Sequence, residues 1–178
     1  YVTLTPSIPE PNALAIKTPL GTILHTGDWK IDPDPQIGSA TDVKGLTALG
    51  DEGVLAMVCD STNVFEEGES GSEESVKQGL IDLIAEQKQA VAVTTFASNV
   101  ARVKSIVEAA ESAGRAVCLV GRSMHRITDA AKSVGILPPH MEFIDESEAS
   151  QIPAEHILYL CTGSQGEARA ALTRISRR

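Results

Sequence analysis

The sequence is poor in aromatic side chains and cysteine, has no long apolar run and carries no surplus of positive charge. Each shortage excludes something. Aromatics make up 3% of the 178 residues, so a core has to be built from Val, Ile, Leu and Ala. Cys59, Cys118 and Cys161 are far apart, odd in number and set in apolar runs. That pattern argues against a disulfide framework and predicts buried free thiols in a reducing compartment. No apolar run approaches the ~18 residues of a membrane span, and no charged-then-apolar leader follows Tyr1, so a cytoplasmic protein without membrane contact is expected. A formal net charge of -9 speaks against a general nucleic-acid-coating protein, which carries a basic surface. A local basic groove stays compatible, because affinity follows the local field. A self-contained zinc motif is missing too. There is no His-x-His pair and no Cys-x-x-Cys, and His25, His125, His140 and His156 show no ligand spacing.

What is present has two textures. Up to about residue 65 the chain is strand-like. Asn12–Lys17 and Gly21–His25 flank Thr18-Pro19-Leu20, which predicts a hairpin. Val54–Cys59 is a continuous apolar run, as expected of a strand covered on both faces. A polar Glu- and Gly-rich loop follows, and Ser72 with Glu73 and Glu74 signals a helix start. Val76, Leu80, Leu83 and Ile84 would form the apolar face of that helix. From about residue 90 strands, loops and helices alternate. Val91–Thr94, Val117–Val120 and Ile157–Cys161 read as buried strands. Val100, Val103, Val107 and Ala110 recur at helical spacing, as do Met124, Ile127, Ala131 and Val134, and Gly114 and Gly135 stop the two helices. Residues 137–153 look irregular and acidic, and a third helix is expected over Glu167–Arg174. Such alternation predicts an α/β fold with a parallel sheet and covering helices.

The three strand ends of the second half are chemically alike. Thr95-Phe96-Ala97-Ser98-Asn99, Gly121-Arg122-Ser123 and Thr162-Gly163-Ser164-Gln165-Gly166 each put hydroxyl, amide or glycine residues between a strand and a helix start. Ligands of open parallel sheets bind outside the carboxyl ends of the strands, where free N–H groups and the helix dipole favour anions, phosphate above all. The same residue types are also good caps and turn formers, so either role is open for each loop. In the first half, Asp28 and Asp60 follow apolar strands. Carboxylates at buried strand ends are costly unless paired or metal-bound, so a metal site, an acid/base pair or a simple cap would each account for them.

Several longer phrases are more specific. Ser7-Ile8-Pro9-Glu10-Pro11-Asn12, Thr18-Pro19-Leu20-Gly21-Thr22, His25-Thr26-Gly27-Asp28-Trp29-Lys30-Ile31-Asp32, Cys59-Asp60-Ser61-Thr62-Asn63 and Thr162-Gly163-Ser164-Gln165-Gly166-Glu167 stand in this order. Together they make essentially the whole chain resemble the ribonuclease J group of RNA-processing enzymes, metallo-β-lactamase folds with an inserted β-CASP domain. The resemblance implies a partial αββα metallo-β-lactamase domain over residues 1–87, followed by the N-terminal part of a Rossmann-like β-CASP domain over 88–178. It implies endonuclease and 5′-to-3′ exonuclease action on single-stranded RNA, with two Zn²⁺ ions activating water, and it leaves room for a homo-oligomer of the full-length protein. By the same resemblance Asp28 matches a metal-bridging aspartate, and Asp60 matches the acidic residue of the first β-CASP motif, near the catalytic histidines. Ser98, Asn99, Arg122, Ser164 and Gln165 are the candidate RNA contacts, a choice that rests on the strand-end argument.

The departures carry equal weight. The family's His-x-His-x-Asp-His motif is expected upstream of Tyr1 and its Ser-Gly-His motif downstream of Arg178, so this stretch alone is expected to be inactive. Where the family has a ligand histidine before Ser-Ile-Pro, this chain has Pro6, and proline offers a metal no lone pair. One alternative is a noncatalytic phosphate- or nucleotide-binding α/β module that kept the loops and lost the metals. Another is a hydrolase of small esters or thioesters on the same fold, against which the second half of the chain argues.

Overall fold

The computed structural model describes residues 1–5 and 8–176; Pro6, and with it the substituted ligand position, lies outside the described residues. Packing divides the chain into two units, Tyr1–Ser72 and Glu73–Arg178.

The first unit holds a four-stranded sheet in the order β1 (Val2–Thr3), β2 (Asn12–Thr18), β3 (Gly21–Gly27), β4 (Ala56–Cys59). The first three strands are antiparallel, and β4 joins β3 in parallel. The expected hairpin is β2–β3. The Thr18 hydroxyl closes its turn, donating to the Gly21 carbonyl (2.8 Å) and accepting from the Leu20 N–H (3.2 Å). An unanticipated helix, α1 (Val43–Glu52), starts where the Asp42 side chain accepts from the Gly45 N–H (2.9 Å). Leu46 and Leu49 of α1, with Trp29 and Val54, cover a small core of Val2, Leu4, Ala13 and Leu24. The register places Leu14, His25 and Val58 in one row of the opposite sheet face, and Ile16, Ile23 and Ala56 in the next. Leu14, Ile16 and Val58 are exposed there. The expectation that Val54–Cys59 is covered on both faces is therefore corrected. Leu55, Met57 and Val58 all lie open, because the small core of this unit is centred on β1, β2 and β3 and little among the described residues covers the faces of β4. Cys59 is likewise half-buried and not a core thiol.

In the second unit β5 (Val91–Thr94), β6 (Ala116–Val120) and β7 (Ile157–Cys161) form the predicted parallel sheet, in the order β5-β7-β6. Helices α3 (Val100–Ser112) and α4 (Arg122–Ser133) follow the first two strands. The apolar face anticipated for α3 is buried throughout: Val100, Val103, Val107 and Ala110 are all core residues. Ahead of the sheet, α2 (Glu73–Ala85) packs on α3. Arg102 holds both carboxylate oxygens of Glu73 (2.9 and 3.0 Å), and Lys77 pairs with Glu108 (2.6 Å). Ile84 is buried, but Leu83 points outward and departs from the expected face.

Two further differences are local. The acidic stretch after residue 137 contains a one-turn helix, α5 (Glu146–Ala149), opened by a reciprocal capping box between Asp145 and Glu148. The last helix, α6 (Ala171–Ile175), is shorter than expected and begins four residues later. Its first N–H groups turn back to the end of β7, Ala171 to the Thr162 hydroxyl (3.3 Å) and Leu172 to the Thr162 carbonyl (3.0 Å). That close approach requires glycine at 163. Its φ is +130°, and a Cβ there would lie 2.8 Å from Leu172 Cβ.

Candidate functional site

The candidate carboxylates of the first unit become neighbours through strand pairing. Gly27 of β3 is paired with Cys59 of β4, so Asp28 and Asp60 are the next residues on adjacent parallel strands. The Trp29 indole N–H donates to the Asp60 carbonyl (3.2 Å) and ties the two ends together. Both aspartates are exposed. The Asp60 carboxylate accepts from the Thr62 hydroxyl (2.5 Å) and the Thr62 N–H (3.1 Å). These bonds favour the charged form and hold the carboxyl below the usual carboxylate range. Asp60 thus caps its own turn, one of the roles left open for it.

Beyond Asp28 the chain is fastened by Asp32, which sequence reasoning passed over. It is 1% exposed, pairs with the Lys30 ammonium (3.1 Å) and accepts from the Asp34 N–H (3.0 Å). Zinc sites need about four donors. Among the described residues no group of three or more His, Cys, Asp or Glu side chains converges. His25 turns its Nδ1 to its own strand, accepting from the Gly27 N–H (3.1 Å). The described residues do not by themselves make a zinc centre.

In the second unit the strand order β5-β7-β6 brings all three candidate loops to one sheet edge, with Thr162–Gly166 in the middle. The Thr95 N–H donates to the Cys161 carbonyl (3.1 Å), so the loop after β5 leaves alongside that after β7. Ser98 is exposed, whereas Asn99 is half-buried and caps α3, its Oδ1 accepting from the Arg102 N–H (3.0 Å). Gly121 begins α4 without a side-chain cap, at φ +111°. Arg122 is the first residue of that helix and is exposed. Ser164 and Gln165 are exposed in a turn closed from Gly166 N–H to Gly163 O (3.1 Å). The Gln165 N–H is already taken by the Glu167 carboxylate (3.1 Å). One amide of the edge therefore meets an anion supplied by the protein itself. Phe96, which the sequence reading quoted without assigning a role, is 48% exposed on the same edge.

Residues 88–178 match the family model described as ribonuclease J, beta-CASP domain. Curated relatives extend the likeness over the whole chain. Ribonuclease J of Sinorhizobium meliloti is 52% identical over 96% of the chain, which covers 30% of that protein. The Mycobacterium tuberculosis and Thermus thermophilus proteins of the same name are 42% and 38% identical over 99% and 97% of the chain, which covers 32% and 30% of them. The chain thus spans about a third of the length of these relatives.

Proposed function

This chain belongs to the ribonuclease J family through its β-CASP domain, and on that premise we propose that it forms part of a zinc-dependent ribonuclease cutting single-stranded RNA. Residues 1–87 are read as a slice of the metallo-β-lactamase domain and 88–178 as the start of the β-CASP domain. The observation that carries the reading is the gathering of three hydroxyl-, amide- and glycine-bearing loops on one carboxyl edge, inside the segment matched to the family. Ser98, Asn99, Arg122, Ser164 and Gln165 line the RNA path in this reading. The uncovered apolar side chains of Leu14, Ile16 and Val58 on one sheet face support the two-sheet αββα assignment, since such a face is normally buried under a second sheet. Asp28 is assigned to the metals and Asp60 to the ground beside them, with the remaining donors supplied by residues other than those described. Two zinc ions, when bound, would supply an activated water and charge stabilisation at the phosphodiester. A cytoplasmic enzyme of both endonuclease and 5′-to-3′ exonuclease type, with room for a homo-oligomer of the full-length protein, completes the proposal. Among the described residues no helix is long and apolar enough to cross a membrane.

The test uses the complete polypeptide that carries this sequence, end-labelled single-stranded RNA and added zinc. Asp28→Asn should lower cleavage by at least roughly 100-fold, the upper end of what losing an outer partner of a metal ligand costs. Arg122→Ala should weaken RNA binding and flatten its log–log salt slope by about 0.7, as expected for one phosphate contact on a single strand. RNA binding without any zinc-dependent cleavage would replace this reading with the noncatalytic phosphate-binding module.

A further inference from the structure

We infer that Phe96 is a stacking platform for a base of the bound RNA strand, an inference that rests on the RNA-binding reading above. The second unit has three aromatic residues. Phe143 is half-buried with the Lys132 ammonium 4.6 Å from its ring centre, and Tyr159 is half-buried against the core. Phe96 alone is exposed, at 48%, and it stands on the sheet edge that carries the polar loops.

Its backbone is fixed on both sides. The preceding N–H, that of Thr95, is bonded to β7 at Cys161 O (3.1 Å), and the Phe96 carbonyl accepts from the Asn99 N–H (3.0 Å). Asn99 in turn caps α3. A ring carried on a fixed backbone has only its two side-chain torsions to order on binding, which lowers the cost of an aromatic contact.

The charge on nearby groups points the same way. Arg102, in the first turn of the helix that follows Phe96, is committed to Glu73. That guanidinium does not serve the strand, which leaves Arg122 as the cation assigned to this edge. In a chain of net charge -9, stacking is the sequence-tolerant contact that does not depend on cations.

The complete polypeptide is titrated in EDTA, so that no strand is cut, with three probes: oligoadenylate, oligouridylate and an abasic ribose-phosphate oligomer. Phe96→Leu should weaken oligoadenylate binding by about tenfold, within the range for one base–aromatic stack. The salt slope should not change, because no phosphate contact is lost. The effect should be smaller on oligouridylate and absent on the abasic oligomer. Phe96→Trp should restore the affinity for oligoadenylate and leave binding of the abasic oligomer at the parent's level. If the parent binds RNA and Phe96→Leu binds all three probes as the parent does, the stacking inference fails and the RNA reading stands. Failure of the parent to bind any probe overturns both.

Discussion

Strands β4 and β7 are written in the same alphabet and end in opposite environments. Ala56-Met57-Val58-Cys59 and Ile157-Leu158-Tyr159-Leu160-Cys161 are both continuous apolar runs that pair in parallel. In β7 every residue is buried except the half-buried Tyr159, because the strand lies between β5 and β6 and under flanking helices. In β4 the side chains of Met57 and Val58 are 55% and 53% exposed. A continuous apolar run therefore records that a strand is built to be covered, without recording which part of the polypeptide covers it.

Truncations in the two strands give the sharpest test. Leu160→Ala, at a fully buried site, should cost about 2–5 kcal/mol in denaturant unfolding followed by circular dichroism, the usual cost of emptying a leucine site. Val58→Ala should cost less than about 1 kcal/mol, since little of that side chain has left water. Equal costs would mean that β4 is covered in solution and would break the comparison.

Ion pairs should rank the same way with smaller effects. Arg102→Met leaves the Glu73 carboxylate, 7% exposed, without its bidentate partner. Stripping a buried charge of its partner costs roughly 3–5 kcal/mol, and the partly exposed arginine brings the expectation to about 1–3 kcal/mol. Lys17→Ala in the first unit breaks an open pair with Glu52, whose side chains are 63% and 57% exposed. The same unfolding measurement should find that change within about 0.5 kcal/mol of the parent.

The thiols make the gentlest comparison. Burial pushes the Cys118 thiol up to about 11 and raises that of Cys161. The thiolate is the reactive form, so at pH 8 both are protonated and shielded. Iodoacetamide followed by mass spectrometry should label Cys59 first. Labelling of Cys118 should appear only as the pH rises towards about 11 or as the second unit unfolds.

How far the fold could be read from the residues depended on how much of each pattern is local. Helix α3 repeats its valines and alanines at helical spacing, and β5, β6 and β7 are short apolar runs bounded by turn residues, so their types and their parallel arrangement were legible. Helix α1 was not, because it carries two glycines, has no fully buried residue and covers the sheet with little more than Leu46 and Leu49. Helix α5 was hidden in an acidic stretch, although Asp145 followed three residues later by Glu148 is the signature of a capping box. The late start of α6 follows from the contact of Gly163 with Ala170 and Leu172, a tertiary fact. For the candidate site, strand register made Asp28 and Asp60 neighbours, which spacing alone does not state. The capping of α3 by Asn99 was one of the open alternatives. The exposure of Phe96 has no counterpart in a linear pattern, because nothing in the sequence distinguishes an open phenylalanine from a core one.

The order β5-β7-β6 also governs when this sheet can exist. Val91 and Val117 are both partners of Leu158, and neither β5 nor β6 pairs with the other. On a ribosome the first two strands emerge with their inner edges vacant and wait for the third. The guanidinium of Arg115, which reaches the carbonyls of Gln87, Gln89 and Ile157, cannot complete its bonds before then either. Because the reward for closing these long loops arrives only with the last strand, assembly of this unit waits on the synthesis of residues 157–161. Until then the open strand edges are surfaces for a chaperone or a neighbouring nascent chain to meet.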